Sequence, residues 1–245
     1  MNIRLIIIGF FLTVQPCLLF ADTTTDSEKN RANRLEMVKD QIQARGISDT
    51  HVLDAMSRVP RHAFVPKGLR SRAYADHPLP IGEGQTISQP YIVALMTEKI
   101  GVEKDHHILE VGTGSGYQAA VLAEIAGTVH SIEIKKGLHE RSNRTLKALG
   151  YKNVITRHGD GYFGWAEAAP FDAIMITAAV DHIPPPLLKQ LKNNGKLVMP
   201  LGNPYGIQNL VLITKHDDDF IVKQITGVLF VPLTGHALAE RTPSN

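Results

Sequence analysis

Apolar residues recur at helical spacing near the start of the chain and then give way to an irregular segment. The recurring positions are Leu35, Val38 and Ile42, followed by Val52, Leu53 and Met56. Intervals of three or four residues are typical of one apolar helix face, and Gly46 separates the two groups, so we expect two short helices. Prolines at 60, 66, 78 and 80 then predict irregular structure.

The next change of pattern is the stretch GQTISQPYIVALM, from Gly84 to Met96. Its polar first half predicts a loop, and its apolar second half predicts a helix with Ser88 at the start. Serine is a common residue at the beginning of a helix, where its hydroxyl can accept a backbone N–H. Whether Ser88 also takes part in chemistry is not decided by position alone.

After Gly101, short apolar runs alternate with helical segments. The runs lie near residues 106, 128, 153, 171 and 195, and helices are expected at 117–126, 137–149 and 185–192. This alternation predicts an α/β protein with a mostly parallel, twisted sheet and helices on both faces. Two further apolar runs meet at Asp217 to Asp219 and predict a hairpin that adds antiparallel strands at one edge.

The first 21 residues differ from the rest of the chain. Arg4 precedes an apolar run from Leu5 to Val14, and the small Ala21 precedes a polar stretch. This is the layout of a secretory signal, and the run is short for a membrane span. The alternative interpretation of these residues is that the start of the chain is wrongly assigned and that translation begins near Met37.

Composition narrows the classes of function. With 245 residues, 43% of them hydrophobic, the chain can bury one sizeable core. The 26 basic and 24 acidic side chains nearly cancel, which argues against a protein held to nucleic acid by phosphate contacts. Cys17 is the only cysteine and lies in the leader, so the remainder has neither a thiol nucleophile nor a cysteine zinc site.

The segment EVGTGSGYQAAVLA directly follows a predicted strand and opens a predicted helix. Gly112, Gly114 and Gly116 would let the backbone turn tightly and approach a ligand. A dinucleotide motif needs a sixth-position glycine, which is Tyr117 here. The spacing G-x-G-x-G after the acidic Glu110 instead favours S-adenosylmethionine, a cofactor without a pyrophosphate.

Two further carboxylates follow the next two predicted strands. Glu133 lies 21 residues after Gly112, where it can accept hydrogen bonds from both ribose hydroxyls. Asp160, followed by Gly161, is placed to accept from an adenine amino group. Each acid alone could be a solvated strand end or a helix cap. Three signals at successive strand ends favour a cofactor site, because open α/β sheets bind ligands there.

Methyl transfer from a sulfonium requires alignment and a dry pocket more than a strong acid or a metal. The 11 histidines include no H-E-x-x-H pattern, and we expect no metal. The fourth strand ends ITAAVDHIPPP, without the Asp/Asn-Pro-Pro-Tyr/Phe sequence of nucleic-acid amino methyltransferases. The remaining candidate for the methyl acceptor is a group that is already nucleophilic, such as a carboxylate.

Six segments can be compared with known families: RVPRHAFVP (58–66), AYADHPLPIGEGQTISQPYIVALM (73–96), ILEVGTGSGYQAAVLA (108–123), GDGYFGW (159–165), FDAIMITAA (171–179) and FVPLTG (230–235). Together they resemble the protein-L-isoaspartate O-methyltransferase family. The resemblance runs from about Leu35 to Gly235, and PLPIGEGQTIS is its most specific part. It implies a Rossmann-like fold and methylation of the free α-carboxylate of isoaspartyl residues in damaged proteins, which starts repair through a succinimide.

The resemblance also implies roles for individual residues. Ser88 matches the active residue and also contacts substrate. The implied cofactor positions are Gln85, Thr86, Ile87, Glu110, Gly112, Thr113, Gly114, Gly116, Glu133, Asp160 and Gly161. Val231, Pro232, Leu233 and Thr234 match a segment that closes over the peptide. We divide the chain into a leader (1–21), a flexible linker (22–33), a substrate-binding extension (34–100) and a methyltransferase core with a closing segment (101–245).

Two alternatives and one conflict follow from this interpretation. The alternatives are another S-adenosylmethionine methyltransferase acting on a small molecule, and a non-catalytic cofactor-binding domain. PLPIGEGQTIS argues against the first, and the presence of Glu133 and Asp160 against the second. The conflict concerns location, because the family and its cofactor supply are cytoplasmic whereas the leader suggests export. We expect a monomer without stable membrane association once the leader is removed.

Overall fold

The computed structural model describes residues 26–239. The predicted leader (1–21), with Cys17, lies outside these residues. Within them, no helix has both the length and the apolar character needed to cross a bilayer.

The N-terminal extension contains the two predicted helices. They are α1 (Glu28–Glu36) and α2 (Thr50–Arg58), with a π-helical turn at Met37–Ile42 and a 3-10 turn at Gln43–Arg45 between them. The predicted flexible linker is wrong from Glu28 onward, because Ser27 caps α1 by accepting the Asn30 N–H at 3.2 Å. Arg34, which is 3% exposed, also fixes this helix through Asp26 at 2.7 Å.

A small antiparallel hairpin lies between the extension and the core. Strands β1 (Leu79–Gly82) and β2 (Gln85–Ile87) pair across Glu83 and Gly84, which have φ values of 53° and 72°. The stretch expected to be a loop is therefore partly a strand. Helix α3 (Pro90–Ile100) follows, but its capping position is Gln89. The expectation that Ser88 caps this helix is wrong, because Pro90 fixes the first helical position one residue later.

Seven strands form the main sheet in the order β5-β4-β3-β6-β7-β8-β9. Their bounds are β3 (His107–Val111), β4 (Thr128–Glu133), β5 (Val154–His158), β6 (Phe171–Ile176), β7 (Leu191–Leu201), β8 (Gln208–His216) and β9 (Asp219–Val228). Strands β3 to β7 pair in parallel, and β8 and β9 add antiparallel pairs at one edge. The predicted Rossmann-like α/β fold is confirmed.

Helices α4 (Tyr117–Ala123), α5 (Lys136–Ala148) and α6 (Pro185–Gln190) connect these strands, and α7 (His236–Ala239) follows the sheet. Alternate residues of the central strands point into different cores: Ile108 joins α3 and α4, whereas Leu109 joins α6. The chain leaves β3 toward β4 and returns to pair β6 on its other side. This reversal places a crevice at the carboxyl ends of β3 and β6.

Candidate functional site

A cleft opens at the carboxyl ends of β3, β4 and β6. Its lining comprises Gln85, Thr86, Ile87, Ser88, Val93, Glu110, Val111, Gly112, Thr113, Gly114, Ser115, Tyr117, Gln118, Ile132, Glu133, Ile134, Lys135, Gly161, Thr177, Ala178, Val231, Pro232, Leu233 and Thr234. All of the predicted site residues therefore meet at this cleft except two, Gly116 and Asp160.

The turn after β3 brings backbone to the surface of the cleft. Gly112 has a φ of 98°, and a Cβ there would lie 2.5 Å from Oγ1 of Thr177. That hydroxyl donates to the Gly112 carbonyl at 2.7 Å. Any side chain at Gly112 would break this contact and would be strained, so the turn requires glycine.

Gly116 serves packing in this structure. It precedes α4 with a φ of 89°, and a Cβ there would lie 3.3 Å from Leu146 and Ser142 of α5. The residue lets two helices approach each other and does not line the cleft. The structure thus shows a role in setting the position of α4, and the cofactor role of Gly116 stays a prediction.

Glu110 is fully buried at the base of the cleft. Its Oε2 accepts from the Ser131 hydroxyl, which also contacts the Thr113 hydroxyl, whereas Oε1 has no hydrogen-bond partner. Burial raises the pKa of Glu110 to about 8, and the nearby Glu133 adds to the rise. A buried carboxyl group with an unpartnered oxygen fits a ligand that brings a cationic donor, such as the ammonium group of S-adenosylmethionine, because that charge would favour the ionised form.

Glu133 has a fixed orientation at the end of β4. Its Oε2 accepts from the Gly114 N–H at 2.7 Å and its Oε1 from the Lys135 N–H at 2.9 Å. The side chain is 5% exposed and lines the cleft. Each oxygen keeps accepting capacity, so the carboxylate can receive ligand hydroxyls without moving.

Asp160 holds the C-terminal segment instead of lining the cleft. Its Oδ1 accepts from the Tyr162 N–H at 3.0 Å and its Oδ2 from the His236 N–H at 2.8 Å. A Cβ on Gly235 would lie 2.5 Å from Oδ2, so glycine is needed there as well. The neighbouring Gly161 does line the cleft, and a Cβ there would overlap Val111.

The C-terminal segment crosses over the end of β6. Ala179 donates to the Val231 carbonyl at 2.8 Å and accepts from the Leu233 N–H at 2.9 Å. These bonds hold Val231 to Thr234 against the cleft, where sequence resemblance had placed a closing segment.

A buried cation lies behind Ser88. Arg61 is 0% exposed, and its Nη2 donates to the Ser88 carbonyl and its Nε to the Ala73 carbonyl, each at 2.8 Å. Its guanidinium stacks 4.8 Å from the Tyr117 ring centre, and Nη1 has no partner. Burial lowers the pKa of Arg61 to about 10, so the group remains charged at neutral pH. Within residues 26–239 it has no carboxylate partner.

Several residues at or behind the cleft have no clear sequence motif. Arg61, which contacts the Ser88 carbonyl from behind, lies in the run RVPRHAFVP, where a basic residue among apolar ones is itself a signal. Thr177 and Ala178 end the fourth predicted strand, the position where such sheets place ligands. Tyr117 and Gln118 open α4, and only their burial in the folded chain shows that they reach the cleft.

The histidine pair His106 and His107 lies away from the cleft. Nε2 of His107 is 2.7 Å from Nδ1 of His130 on the neighbouring strand. Burial lowers the pKa of His130 to about 4, and His107 adds to this effect. The imidazoles pack against Phe171 and Trp165 as part of the sheet's core.

A second cavity, of about 560 Å³, shares a wall with the cleft. Thr86, Ser88, Thr177 and Val231 line both spaces. Ser88 therefore stands where a molecule in one space would meet a molecule in the other.

A parallel sheet with a G-x-G-x-G turn after β3 and a fixed carboxylate after β4 defines the Rossmann-like, S-adenosylmethionine-dependent class of methyltransferases. Within that class, residues 32–238 match the family described as protein-L-isoaspartate(D-aspartate) O-methyltransferase. The chain belongs to this family.

Curated relatives and solved structures agree with this assignment. A protein-L-isoaspartate O-methyltransferase 2 of Shewanella sediminis is 61% identical over 222 residues, 91% of either chain. Protein-L-isoaspartate O-methyltransferase 1 of Nitrosospira multiformis is 57% identical, over 83% of this chain and 88% of its own. A solved protein-L-isoaspartate O-methyltransferase is 31% identical with a TM-score of 0.77, over 84% of this chain and 67% of that one.

A solved structure from Plasmodium falciparum, described as a protein-L-isoaspartate O-methyltransferase, is a complex with S-adenosyl-L-homocysteine. It is 29% identical with a TM-score of 0.72, and the match covers 82% of this chain and 98% of that one.

Proposed function

We propose that this protein transfers a methyl group from S-adenosylmethionine to the free α-carboxylate of L-isoaspartyl residues in damaged proteins and peptides. The observation that carries this is the position of Ser88, on the wall shared by the cofactor cleft and the second cavity. The methyl ester then closes to a succinimide, whose hydrolysis returns part of the material to normal aspartate.

The cofactor would be held by the residues of the cleft. Glu110 would receive its ammonium group and Glu133 its ribose hydroxyls, while the backbone at Gly112 and Gly114 allows close approach. Bound S-adenosylmethionine supplies a methyl group on a sulfonium, which a carboxylate can attack directly. The protein then contributes alignment and exclusion of water.

Ser88 is proposed to align the acceptor carboxylate. Its hydroxyl makes no hydrogen bond to a histidine or an acid within the described part of the chain, so it lacks the partners of an activated nucleophile. The first N–H groups of α3 offer few further donors for this carboxylate. Pro90 has none, and Ile92 and Val93 donate to the Gln89 carbonyl at 3.0 and 3.2 Å. The hydroxyl of Ser88 is then the principal donor at this point, with Arg61 behind it.

Methyl-labelled cofactor and two synthetic peptides test the activity. One peptide carries an isoaspartyl residue and its twin carries normal aspartate. We expect a base-labile methyl ester on the isoaspartyl peptide alone. Equal labelling of both peptides would indicate a less selective methyltransferase, and labelling of neither would refute the proposed activity.

We further propose that the protein acts as a monomer, without nucleic acid, in the compartment that supplies S-adenosylmethionine. Light scattering of the purified protein tests the first point. Cell fractionation with determination of the mature N-terminus tests the last. A mature chain beginning at residue 22 in an exported fraction would show instead that the leader is used.

A further inference from the structure

The second cavity is lined by uncharged residues. They are Pro78, Thr86, Ser88, Gln89, Ile92, Thr177, Gly227, Val228, Leu229, Phe230 and Val231. A space of about 560 Å³ is roughly 8 Å across, the span of two to three extended residues. It can therefore hold more of a polypeptide than the carboxylate that receives the methyl group.

Apolar side chains stand exposed at the rim of this cavity. Leu229, one of its lining residues, is 77% exposed, and Ile207 is 80% exposed. Cγ2 of Ile207 lies 3.8 Å from where a Cβ on Gly227 would be, so it stands against the backbone of the lining. Exposed apolar groups next to a cavity are typical of a binding surface.

The rim is held in place by one buried side chain. Gln208 is 1% exposed, and its Nε2 donates to the carbonyls of Asn203 and Gly206 at 2.9 and 2.6 Å. Its Oε1 accepts from the Phe230 N–H at 2.8 Å. The loop that carries Ile207 and the segment that carries Leu229 are thereby tied together, and the apolar rim is formed before any ligand binds.

We propose that the cavity and its rim bind an apolar side chain of the substrate polypeptide, within about two residues of the isoaspartyl residue. The proposal rests on the function above, because Ser88, where the methyl acceptor is proposed to lie, lines this cavity as well as the cleft. A charged neighbour would lose water there against an uncharged lining, whereas an apolar one gains by burial.

This preference would suit a repair enzyme. Apolar contacts have no directional requirement, so many different sequences can use the same surface. A polypeptide segment that has opened through damage exposes the apolar side chains that a folded protein buries. The surface therefore favours segments that have lost their packing.

The test uses isoaspartyl peptides that differ only in the residues one and two places before or after the isoaspartate. Leucine, serine or glutamate is placed at each position in turn. We expect at least one leucine peptide to show a KM about tenfold lower than its serine counterpart, from burial of the leucine side chain. Glutamate at the same position should raise KM above the serine value.

Variants then locate the preference on the surface. Leu229→Ser and Ile207→Ser should bring the ratio of the two KM values toward one. Ile221→Ser is the matched control, because Ile221 is 61% exposed near the start of β9, the end far from Val228. This control should keep the preference of the unaltered protein.

The outcomes separate the two proposals. Ester formation with equal KM values for all peptides would overturn the docking surface and leave the methyltransferase activity standing. A leucine preference that survives both rim variants would also overturn it. Absence of ester on every isoaspartyl peptide would instead refute the proposed function itself.

Discussion

The burial of the charged Arg61 side chain destabilises the fold unless its surroundings offset the loss of hydration. An unpaired buried charge destabilises a protein by several kcal/mol, at order of magnitude. Two carbonyl groups and the Tyr117 ring offset part of this cost, yet Nη1 remains without a partner. A positive charge directly behind Ser88 would attract the carboxylate of the substrate. The charge that destabilises the fold is therefore the same charge that would attract the methyl acceptor.

Replacing Arg61 with Met should raise KM for an isoaspartyl peptide about tenfold or more, because the attraction acts at low effective dielectric. Arg61→Lys keeps the charge and should recover part of this loss. Steady-state kinetics give the KM values, and calorimetric titration with S-adenosylhomocysteine gives cofactor-site affinity. Equal losses of peptide and S-adenosylhomocysteine affinity in both variants would show that Arg61 only supports the fold.

Ser88→Ala should retain binding of S-adenosylhomocysteine and reduce kcat by about a hundredfold, the typical effect of losing one aligned donor. The side chain is small, and its hydroxyl makes no hydrogen bond within the described residues, so the fold should be unaffected. Thermal unfolding checks the fold, and initial rates at saturating peptide give kcat. Turnover equal to that of the unaltered protein would remove Ser88 from the mechanism.

At the scale of elements, the strands and helices after Gly101 were predictable, but the hairpin before α3 was not. Runs such as FDAIMI carry their own apolar pattern, whereas β1 and β2 have four and three residues. The hairpin is held by Arg141 of α5, which donates to the Ile81 carbonyl across 60 residues of sequence. A contact of this kind leaves no local pattern in the sequence.

Asp160 also makes a contact between distant parts of the chain. Its position after a strand is typical of a ligand-binding acid, but its carboxylate accepts a hydrogen bond from the backbone N–H of His236.

Arg141→Met should therefore loosen the hairpin that carries Gln85 to Ile87. We expect KM to rise several-fold for both cofactor and peptide, with about 1 kcal/mol lost from the free energy of unfolding, the usual net contribution of one hydrogen bond. Urea unfolding and two-substrate kinetics measure these quantities. Arg144→Met, an exposed arginine on the same helix, is the control and should change neither. A similar effect from both substitutions would place the cause in the helix and not in the hairpin.

At the scale of the whole molecule, buried ionisable groups make stability depend on pH. Glu110 has its pKa raised to about 8, so the folded protein binds a proton more strongly than the unfolded chain. Its contribution is fully present below the unfolded pKa near 4.5 and is lost as pH rises through about 8. The pKa of His130 is lowered to about 4, so its contribution is present above about 6.5 and is lost toward acid.

The contribution of His130 still changes near its unfolded pKa of 6.5, but it is the same with and without a substitution at Glu110, so the difference between the two proteins from pH 6.5 to 8.5 tests Glu110. Glu110→Gln should flatten the fall in the free energy of unfolding over this range, by an amount on the order of a few kcal/mol. It should also weaken binding of S-adenosylhomocysteine, whose ammonium group would lose its carboxylate. Urea unfolding at several pH values measures the first effect. An unchanged slope would mean that Glu110 titrates alike in the folded and unfolded states.

The wall shared by the two cavities has a consequence for the order of events in turnover. Val231 lines both spaces and belongs to the segment that Ala179 and Asp160 hold in place. We expect a polypeptide resting on that segment to obstruct the cofactor cleft, because the two spaces share this wall. Turnover should then be ordered, with the cofactor binding before the polypeptide and its demethylated form leaving after it. The kinetic signature is product inhibition that is competitive toward one substrate and not toward the other.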